Sequence, residues 1–254
     1  MNYSHGQLNY PVFAYAKNYD NGYVEDVHQH DRIQLLHTLT GVIHVKTMEG
    51  IWVIPPSKGI WIPENKEHSI CMHGQVKARG VFVEPYARAD FMTQCCVVAI
   101  PNLLSELINE AINISEEIIP HTRNERLLEL ILDELRFLEE LPFQLPEAKS
   151  LLLKEIIHYL KSDLSVGHDL EKIASKYHVS SKKVSRLFLK ETNMNFSTWY
   201  KQAKLLKAIT DLEMKNPILN IALELGYESS SAFSYMFKRE MGMSPTEYLK
   251  RKKK

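Results

Sequence analysis

The chain has 254 residues, with 31 Lys and Arg against 31 Asp and Glu and a formal net charge of zero. That length provides for two domains, each with its own core. No N-terminal apolar h-region and no apolar run long enough to cross a bilayer occur, so we expect neither secretion nor a membrane partner. Three cysteines without a pattern exclude a disulfide framework and favour the cytoplasm.

The neutral total conceals two halves of opposite charge. Residues 1–144 carry 11 Lys and Arg against 19 Asp and Glu, a balance of −8, and residues 145–254 carry 20 against 12, a balance of +8. A basic C-terminal half suits a polyanion such as double-stranded DNA, although ordinary variation of surface charge gives the same imbalance.

Residues 1–98 have the pattern of an antiparallel β domain. Asn21-Gly22 is a tight-turn signal, and short strand-like runs follow it between Gly and Pro residues. The runs are 33–39, 42–47, 51–54, 59–62, 69–72 and 78–83. Many short strands separated by such turns predict an antiparallel barrel or jelly roll.

Two histidine motifs lie within this β region. They read His28-x-His30-x3-Gln34-x6-Gly41 and Pro63-x-Asn65-x2-His68. Their spacing resembles the two motifs of the cupin family, which implies a cupin barrel. Gln34 stands where cupins usually have Glu, and Asn65 stands where they usually have Gly. The first Gly and the terminal Asn of the second motif are replaced by Ser57 and Met72.

The cupin resemblance implies that His28, His30 and His68 point into the mouth of the barrel. Three imidazoles suit a divalent transition metal, with Gln34 as a neutral fourth ligand, but the missing carboxylate weakens such a site. Two alternatives are polar contacts to a small effector and structural histidines that bond to loop backbone. Trp52 and Trp61 either line the same pocket or belong to the barrel core.

Helical periodicity replaces the β pattern after residue 100. Apolar residues at helical spacing predict two amphipathic helices, Asn102–Ile119 and Asn124–Leu141. They either pack on the outside of the barrel or form a dimer seam. Two prolines then predict a short, extended linker over Leu141–Pro146.

Residues 147–254 are predicted to be helical. The first helix covers Glu147–Lys161, with Leu151, Leu152, Ile156 and Tyr159 facing inward. Asp169 caps Leu170–Tyr177, and Ser180 caps a helix over Ser181–Glu191. The same pattern returns near the C-terminus, where Gly226 supplies a turn and Ser229 caps a second helix. In each repeat, two short helices joined by a turn predict a helix-turn-helix motif that can enter a DNA major groove.

An internal repeat supports this interpretation. Ser185–Tyr200 aligns with Ser234–Leu249 at a constant offset, and His178 and Asn193 fall where Gly226 and Gly242 fall. A helical run over Ser197–Met214 joins the two units. At 1.5 Å per residue it spans roughly 25 Å, which suits two recognition helices about one DNA turn apart.

The run from Ile221 to Tyr248, IALELGYESSSAFSYMFKREMGMSPTEY, resembles the signature of the AraC/XylS family of bacterial transcription regulators. The resemblance implies a sensor that binds a small-molecule effector, frequent dimerisation through the middle region, and RNA polymerase as a partner. It places Lys182, Ser185 and Arg186 at base-edge positions, with a phosphate contact as the alternative for Arg186. We expect Lys183 to contact phosphate, with solvated helix surface as the alternative. In the second unit it points to Ser230, Ser231, Ser234 and Tyr235. Tyr235 stands where the family commonly has Arg, so we expect the second unit to anchor more than it specifies.

The sequence therefore predicts two domains, an N-terminal antiparallel β cupin barrel with flanking helices and a C-terminal all-α domain with two helix-turn-helix units joined by a long helix. The expected boundaries are 1–98 for the sensor, 99–146 for the helices and linker, and 147–254 for DNA binding, with the motifs at about 170–191 and 218–240. The expected function is effector-controlled, sequence-specific transcription regulation by a cytoplasmic homodimer. The alternative is a metal-dependent cupin enzyme, a dioxygenase or isomerase, with a DNA-binding tail.

Overall fold

The computed structural model describes residues 10–114, 118–165 and 169–250. The chain divides into two compact units, one formed by residues 1–48 and 52–144 and the other by residues 49–51 and 145–254.

The first unit contains two antiparallel sheets. The strands of these sheets are β1 (Val12–Tyr19), β2 (Val24–His28), β3 (Ile33–Thr38), β4 (Val42–Lys46), β5 (Gly50–Ile54), β6 (Lys58–Ile62), β7 (His68–His73), β8 (Val76–Val83), β9 (Cys96–Ala99), β10 (Glu140–Leu141) and β11 (Gln144–Pro146). The strands β5 and β11 each include residues that belong to the second unit. One sheet has the order β1-β8-β3-β6-β9-β10 and the other β11-β5-β4-β7-β2. The hydrogen bonds between these described strands do not close the sheets into one barrel.

Alternation along the six-stranded sheet separates two faces. Leu35 pairs with Val81 and with Trp61, which places these side chains on one face, while Gln34 pairs with Phe82 and lies on the other. The face that carries Leu35 packs against two helices, α1 (Asn102–Ala111) and α2 (Arg123–Leu135). A hydrophobic core therefore lies between this sheet and the helices.

Both of these helices end earlier than predicted. The helix α1 ends at Ala111, and Ile114 and Ile118 lie partly buried against the core. The segment 115–117 of the predicted helix lies outside the described residues. The prediction for α2 is wrong beyond Leu135, since Glu140 and Leu141 pair as a strand with β9.

The apolar stripe of these helices is buried within the chain itself. Its members Leu104, Ile108, Leu128, Ile131 and Leu135 are at most 3% exposed. This corresponds to the predicted packing on the outside of the β domain. Other side chains of the same region are open to solvent, including Leu103 and Phe137.

The predicted linker has the extended backbone expected from its prolines, and it adds strands as well. Glu140–Leu141 and Gln144–Pro146 form β10 and β11, and the Val53 amide donates to the Phe143 carbonyl at 3.0 Å. The sequence did not indicate this pairing, since short proline-flanked segments carry no strand periodicity.

From Leu151 onward the described part of the second unit consists of helices and the turns that connect them. Its helices are α3 (Leu151–Ser162), α4 (Leu170–Lys176), α5 (Ser181–Thr192), α6 (Phe196–Glu213), α7 (Ile218–Glu224), α8 (Ser230–Met241) and α9 (Pro245–Lys250). The predicted all-α architecture, with two helix-turn-helix units (α4–α5 and α7–α8) joined by the long helix α6, is confirmed.

The predicted helix starts are confirmed at three caps. The side chains of Asp169, Ser180 and Ser229 accept backbone N–H groups at the starts of α4, α5 and α8. The first helix is different, because it begins at Leu151 behind a Ser150 cap, and Leu151 is 73% exposed rather than inward-facing.

A carboxylate from α5 holds the start of α3. Glu191 Oε2 accepts the backbone N–H groups of Lys149 and Ser150, each at 2.8 Å. These two bonds lower the pKa of Glu191 against the opposing effect of burial. The first recognition helix is thereby tied to the helix that precedes its own motif.

Candidate functional site

The first candidate DNA-contacting helix, α5, has one buried and one exposed side. Val184 and Phe188 are fully buried and face the core of the unit. Lys182, Lys183 and Arg186 are exposed, and no described carboxylate pairs with any of them. Ser185 is half-buried beside them. The exposed side therefore presents three cations at helical spacing, as a DNA-contacting surface requires.

The corresponding helix α8 has a less charged outer side. Phe233 and Phe237 are fully buried, with ring centroids 5.8 Å apart. Tyr235 is 72% exposed, Ser231 is exposed, and Ser230 and Ser234 are half-buried. Hydroxyl groups both donate and accept, so this side can contact phosphates or base edges with little discrimination.

The turn before each of these helices needs a left-handed residue. His178 has φ +53° in the first motif and Gly226 has φ +73° in the second, as the repeat predicts. Asn193 and Gly242 end α5 and α8 in the same conformation, at +54° and +73°. Local geometry is thus repeated across the two motifs.

The other candidate site is a histidine cluster in the β unit. His28 on β2 pairs with His68 on β7, and their ring centroids lie 4.3 Å apart. The His30 ring lies 5.1 Å from that of His68 and 6.3 Å from that of His28. His30 and His68 are buried, and His28 is half-buried. The structure therefore brings together the three histidines that the sequence singled out.

Each of these imidazoles is fixed by a backbone carbonyl. The Nδ1 atoms of His28, His30 and His68 lie 2.7, 2.6 and 2.7 Å from the carbonyl oxygens of Asp26, Arg32 and Lys66. Because a carbonyl only accepts, each Nδ1 carries the proton, and in the neutral ring Nε2 is left as an acceptor. The polar ring atoms that these backbone bonds leave over are therefore hydrogen-bond acceptors, not donors.

Burial keeps two of these rings neutral. Desolvation lowers the pKa of His68 to about 4 and lowers the pKa of His30, although its bonds to Arg32 and Gln34 partly oppose the shift. The Nε2 atom of His68 is buried and has no hydrogen-bond partner in the described part of the chain. A buried acceptor without a donor is destabilising, so a ligand that supplies an N–H or O–H would satisfy it.

Gln34 and Tyr15 extend the cluster into the sheet. The Gln34 amide lies 3.1 Å from His30 Nε2 and 2.6 Å from the Tyr15 hydroxyl. In the structure Gln34 Nε2 donates to the Tyr15 hydroxyl and Gln34 Oε1 faces His30 Nε2. Because Nε2 of the neutral His30 ring is an acceptor, the reversed amide orientation satisfies both neighbours, with the NH2 donating to His30 Nε2 and the oxygen accepting the Tyr15 O–H. The Tyr15 ring stacks on Phe82, with centroids 5.1 Å apart, and Phe82 also meets the His30 ring edge-on.

The two tryptophans, Trp52 and Trp61, lie in different environments. Trp61 lies on the opposite face of its sheet from Gln34, and its indole N–H donates to the Met92 carbonyl in the core beneath α1 and α2. This corresponds to the core alternative for Trp61. Trp52 is buried, and its indole N–H has no partner among the described residues.

Comparison with known proteins gives the family. A helix-turn-helix domain family matches residues 173–251. The HTH-type transcriptional regulator NimR of Escherichia coli (strain K12) is 30% identical over 227 residues, which cover 89% of this chain and 82% of NimR. The chain belongs to the AraC/XylS family of transcription regulators.

Other relatives match a smaller part of the chain. The HTH-type transcriptional activator RhaR of Yersinia pseudotuberculosis is 30% identical over 125 residues, 49% of this chain and 42% of RhaR. Among solved structures, ToxT from Vibrio cholerae covers 94% of this chain and 98% of its own, at 13% identity and a TM-score of 0.39.

Membership of the AraC family decides between the functional alternatives. The protein is a DNA-binding transcription regulator, and the alternative of a metal-dependent cupin enzyme is wrong, since the relatives are regulators. Within the described residues no group of three or more His, Cys, Asp or Glu side chains could hold a metal ion. No helix in the described ranges is both long and apolar enough to cross a membrane.

Sequence reasoning missed several residues at these sites. Tyr15 and Phe82 complete the histidine cluster, and the short apolar run Val12–Tyr15 was a usable signal for strand β1. The burial of Lys204 in α6 was also missed, because a lysine in the middle of a helix has the sequence pattern of an ordinary surface residue.

Proposed function

We propose that this AraC-family regulator binds an asymmetric DNA site through α5 and α8 and that a small-molecule effector bound in the histidine cluster controls it. The main support is the pair of helix-turn-helix motifs, of which the first exposes Lys182, Lys183 and Arg186. The expected domain roles are sensing in residues 1–98, dimerisation in 99–146 and DNA binding in 147–254.

Base-edge contacts are assigned to α5. Arg186 carries a planar guanidinium that can bond to O6 and N7 of guanine, which is worth about 1–3 kcal/mol of discrimination. Lys182 and Ser185 lie on the same exposed stretch, and Lys183 binds phosphate. In α8, Ser230, Ser231, Ser234 and Tyr235 anchor the second half-site with weak sequence preference.

The effector is proposed to be an uncharged hydrogen-bond donor. His28 and His68 offer Nε2 acceptors, since His30 Nε2 already faces the Gln34 amide, and an anion would meet lone pairs rather than donors. Gln34 in place of a carboxylate removes the charge that would favour a cation. Trp52, with its unpartnered indole N–H, is a further candidate for effector binding. Trp61, which the sequence also suggested, is left out because it packs on the other face of its sheet.

The remaining partners follow from the regulator role. We expect RNA polymerase to be recruited or blocked at the promoter, in the cytoplasm of a bacterium. The homodimer is expected to use exposed parts of residues 99–146, since the apolar stripe there is already buried within the chain.

A selection experiment tests this function. The full-length protein is incubated with duplexes of random sequence, and bound DNA is recovered and sequenced. Enrichment of a two-part, non-palindromic motif supports the proposal, whereas recovery without enrichment contradicts sequence-specific binding. A thermal-shift screen of sugars, polyols and N–H heterocycles then compares wild type with His68→Gln. Compounds that raise Tm equally in both proteins bind elsewhere.

A further inference from the structure

Lys204 is a buried cation at the centre of the helical unit. It lies in α6, and only 3% of the residue is exposed to solvent. No carboxylate in the described ranges pairs with it, and desolvation alone lowers its pKa. Lysine is rarely buried unless something compensates for the loss of water. The structure must therefore provide another partner for its ammonium group.

Two aromatic rings supply that partner. The Lys204 Nζ atom lies 4.8 Å from the centroid of the Tyr200 ring and 4.9 Å from that of the Tyr227 ring. Both distances fall within the range of a cation–π contact. The ammonium group thus contacts both Tyr200, one turn earlier on α6, and Tyr227, which lies outside that helix.

The two rings belong to different helix-turn-helix surroundings. The Tyr200 hydroxyl donates to the carbonyl of Leu164, in the segment ahead of α4, at 2.7 Å. Tyr227 follows the Gly226 turn between α7 and α8, and its ring centroid lies 5.9 Å from that of Phe233, in the core of α8. The Tyr200 ring centroid also lies 5.7 Å from that of Phe196, which lies 5.3 Å from that of Phe188 in α5. A continuous series of contacts therefore runs from the first motif, through Lys204, to the second recognition helix.

We propose that Lys204 is a positioning residue that holds the second helix-turn-helix in a fixed place on α6 and so sets the spacing between the two DNA half-sites that the protein accepts. Neither Lys204 nor its rings need to touch DNA for this role. Each motif keeps its own core, Phe188 in the first and Phe233 with Phe237 in the second. Loss of the cation should therefore let the two motifs move relative to each other, while each motif keeps its own fold.

The test uses the full-length protein and the two-part site obtained by selection. Fluorescence anisotropy measures Kd for the selected duplex, for duplexes with one base pair added to or removed from the spacer, and for duplexes that keep only one half-site. Lys204→Met keeps the length of the stem and removes the charge. Lys204→Arg keeps the charge and serves as the conservative variant. Tyr227→Leu removes one ring face, and Tyr227→Phe retains it as a matched control.

Lys204→Met is expected to bind each single half-site within about twofold of wild type and to lose roughly tenfold on the full site, because the two contacts no longer reinforce one another. Its Kd is expected to differ less between duplexes of different spacer length than the Kd of wild type does. Lys204→Arg and Tyr227→Phe should keep both properties, and Tyr227→Leu should resemble Lys204→Met.

Two results would overturn the proposal. One is an equal loss on single half-sites and on the full site, which would indicate general damage to the fold. The other is unchanged spacer discrimination in both Lys204→Met and Tyr227→Leu. If Lys204→Met does not fold, as judged by circular dichroism, Tyr227→Leu decides the question in the same assay.

Discussion

Gly226 lies directly against the backbone of Ser165. A Cβ atom on Gly226 would stand 2.8 Å from the Ser165 carbonyl oxygen and 2.9 Å from its Cα. The turn of the second motif therefore touches the segment ahead of the first motif with no room for a side chain. His178, at the equivalent turn of the first motif, shares the positive φ but carries a full imidazole.

The first prediction separates two reasons for glycine at position 226, the positive φ and the lack of room for a Cβ atom. Gly226→Ala should destabilise the helical unit by more than roughly 1–2 kcal/mol, since the left-handed conformation costs about that much and the contact with Ser165 adds to it. His178→Gly should stabilise the unit by up to about 1 kcal/mol, because it relieves the same backbone strain. Thermal unfolding followed by helical circular dichroism measures both. A neutral Gly226→Ala would contradict the close approach.

The second prediction concerns DNA specificity. Arg186→Ala should weaken binding to the selected site by about 1–3 kcal/mol more than binding to random DNA, because a bidentate base contact is lost. Lys183→Ala should weaken both alike and lower the slope of log Kd against log salt by about one phosphate contact. Anisotropy titrations at several salt concentrations measure these effects. An equal loss on both DNAs for Arg186→Ala would assign Arg186 to phosphate.

The third prediction is a loss of stability in mild acid. Burial lowers the pKa values of His37 and His68 to about 4, from 6.5 in an exposed ring. Between these values the unfolded chain binds more protons than the folded one, so stability falls as pH falls from about 6.5 towards 4. Each group contributes roughly 2 kcal/mol to that loss by about pH 5. Denaturant midpoints between about pH 7.5 and 5 should show it.

Substitution identifies the groups responsible for the acid effect. His68→Gln and His37→Gln should each make the midpoint less sensitive to pH, since glutamine takes up no proton. His158 is exposed on α3, and His158→Gln is the matched control for the histidine-to-glutamine change itself. If all three variants follow the wild-type curve, other groups cause the acid sensitivity.

The fourth prediction tests the support of the histidine cluster. A Cβ on Gly80 would lie 2.5–2.6 Å from the Tyr15 ring atoms, so Gly80→Ala should displace that ring. Tyr15 would then lose its bond to Gln34, and the Gln34 amide would be free to turn away from His30. Nitrogen-15 NMR of the imidazoles should report a change at His30 and little at exposed His158. Unchanged His30 signals would show that Tyr15 does not fix the amide.

Much of the helical unit could be predicted from sequence because its signals are local. Asp169, Ser180 and Ser229 cap helices through bonds to residues two or three positions away. Gly226 and Asn193 mark left-handed turns by residue type alone. Such features depend on short-range chemistry, which a single sequence contains.

Features that depend on tertiary partners could not be predicted in the same way. The face that Trp61 occupies depends on strand register, and the end of α2 depends on the pairing of Glu140 with β9. Burial of Lys204 depends on Tyr227, 23 positions along the chain. The three histidines were found because their spacing resembled a known motif, whereas Tyr15 joins them only through folding.

The bonds from Glu191 to the Lys149 and Ser150 amides have a practical consequence for dissecting the protein. A recombinant fragment that begins at Leu145 retains both N–H donors. A fragment that begins at Leu151 lacks them, so the Glu191 carboxylate at the end of α5 loses both hydrogen bonds. The shorter fragment should therefore express as a less soluble, protease-sensitive product, even though every residue of the two motifs is still encoded.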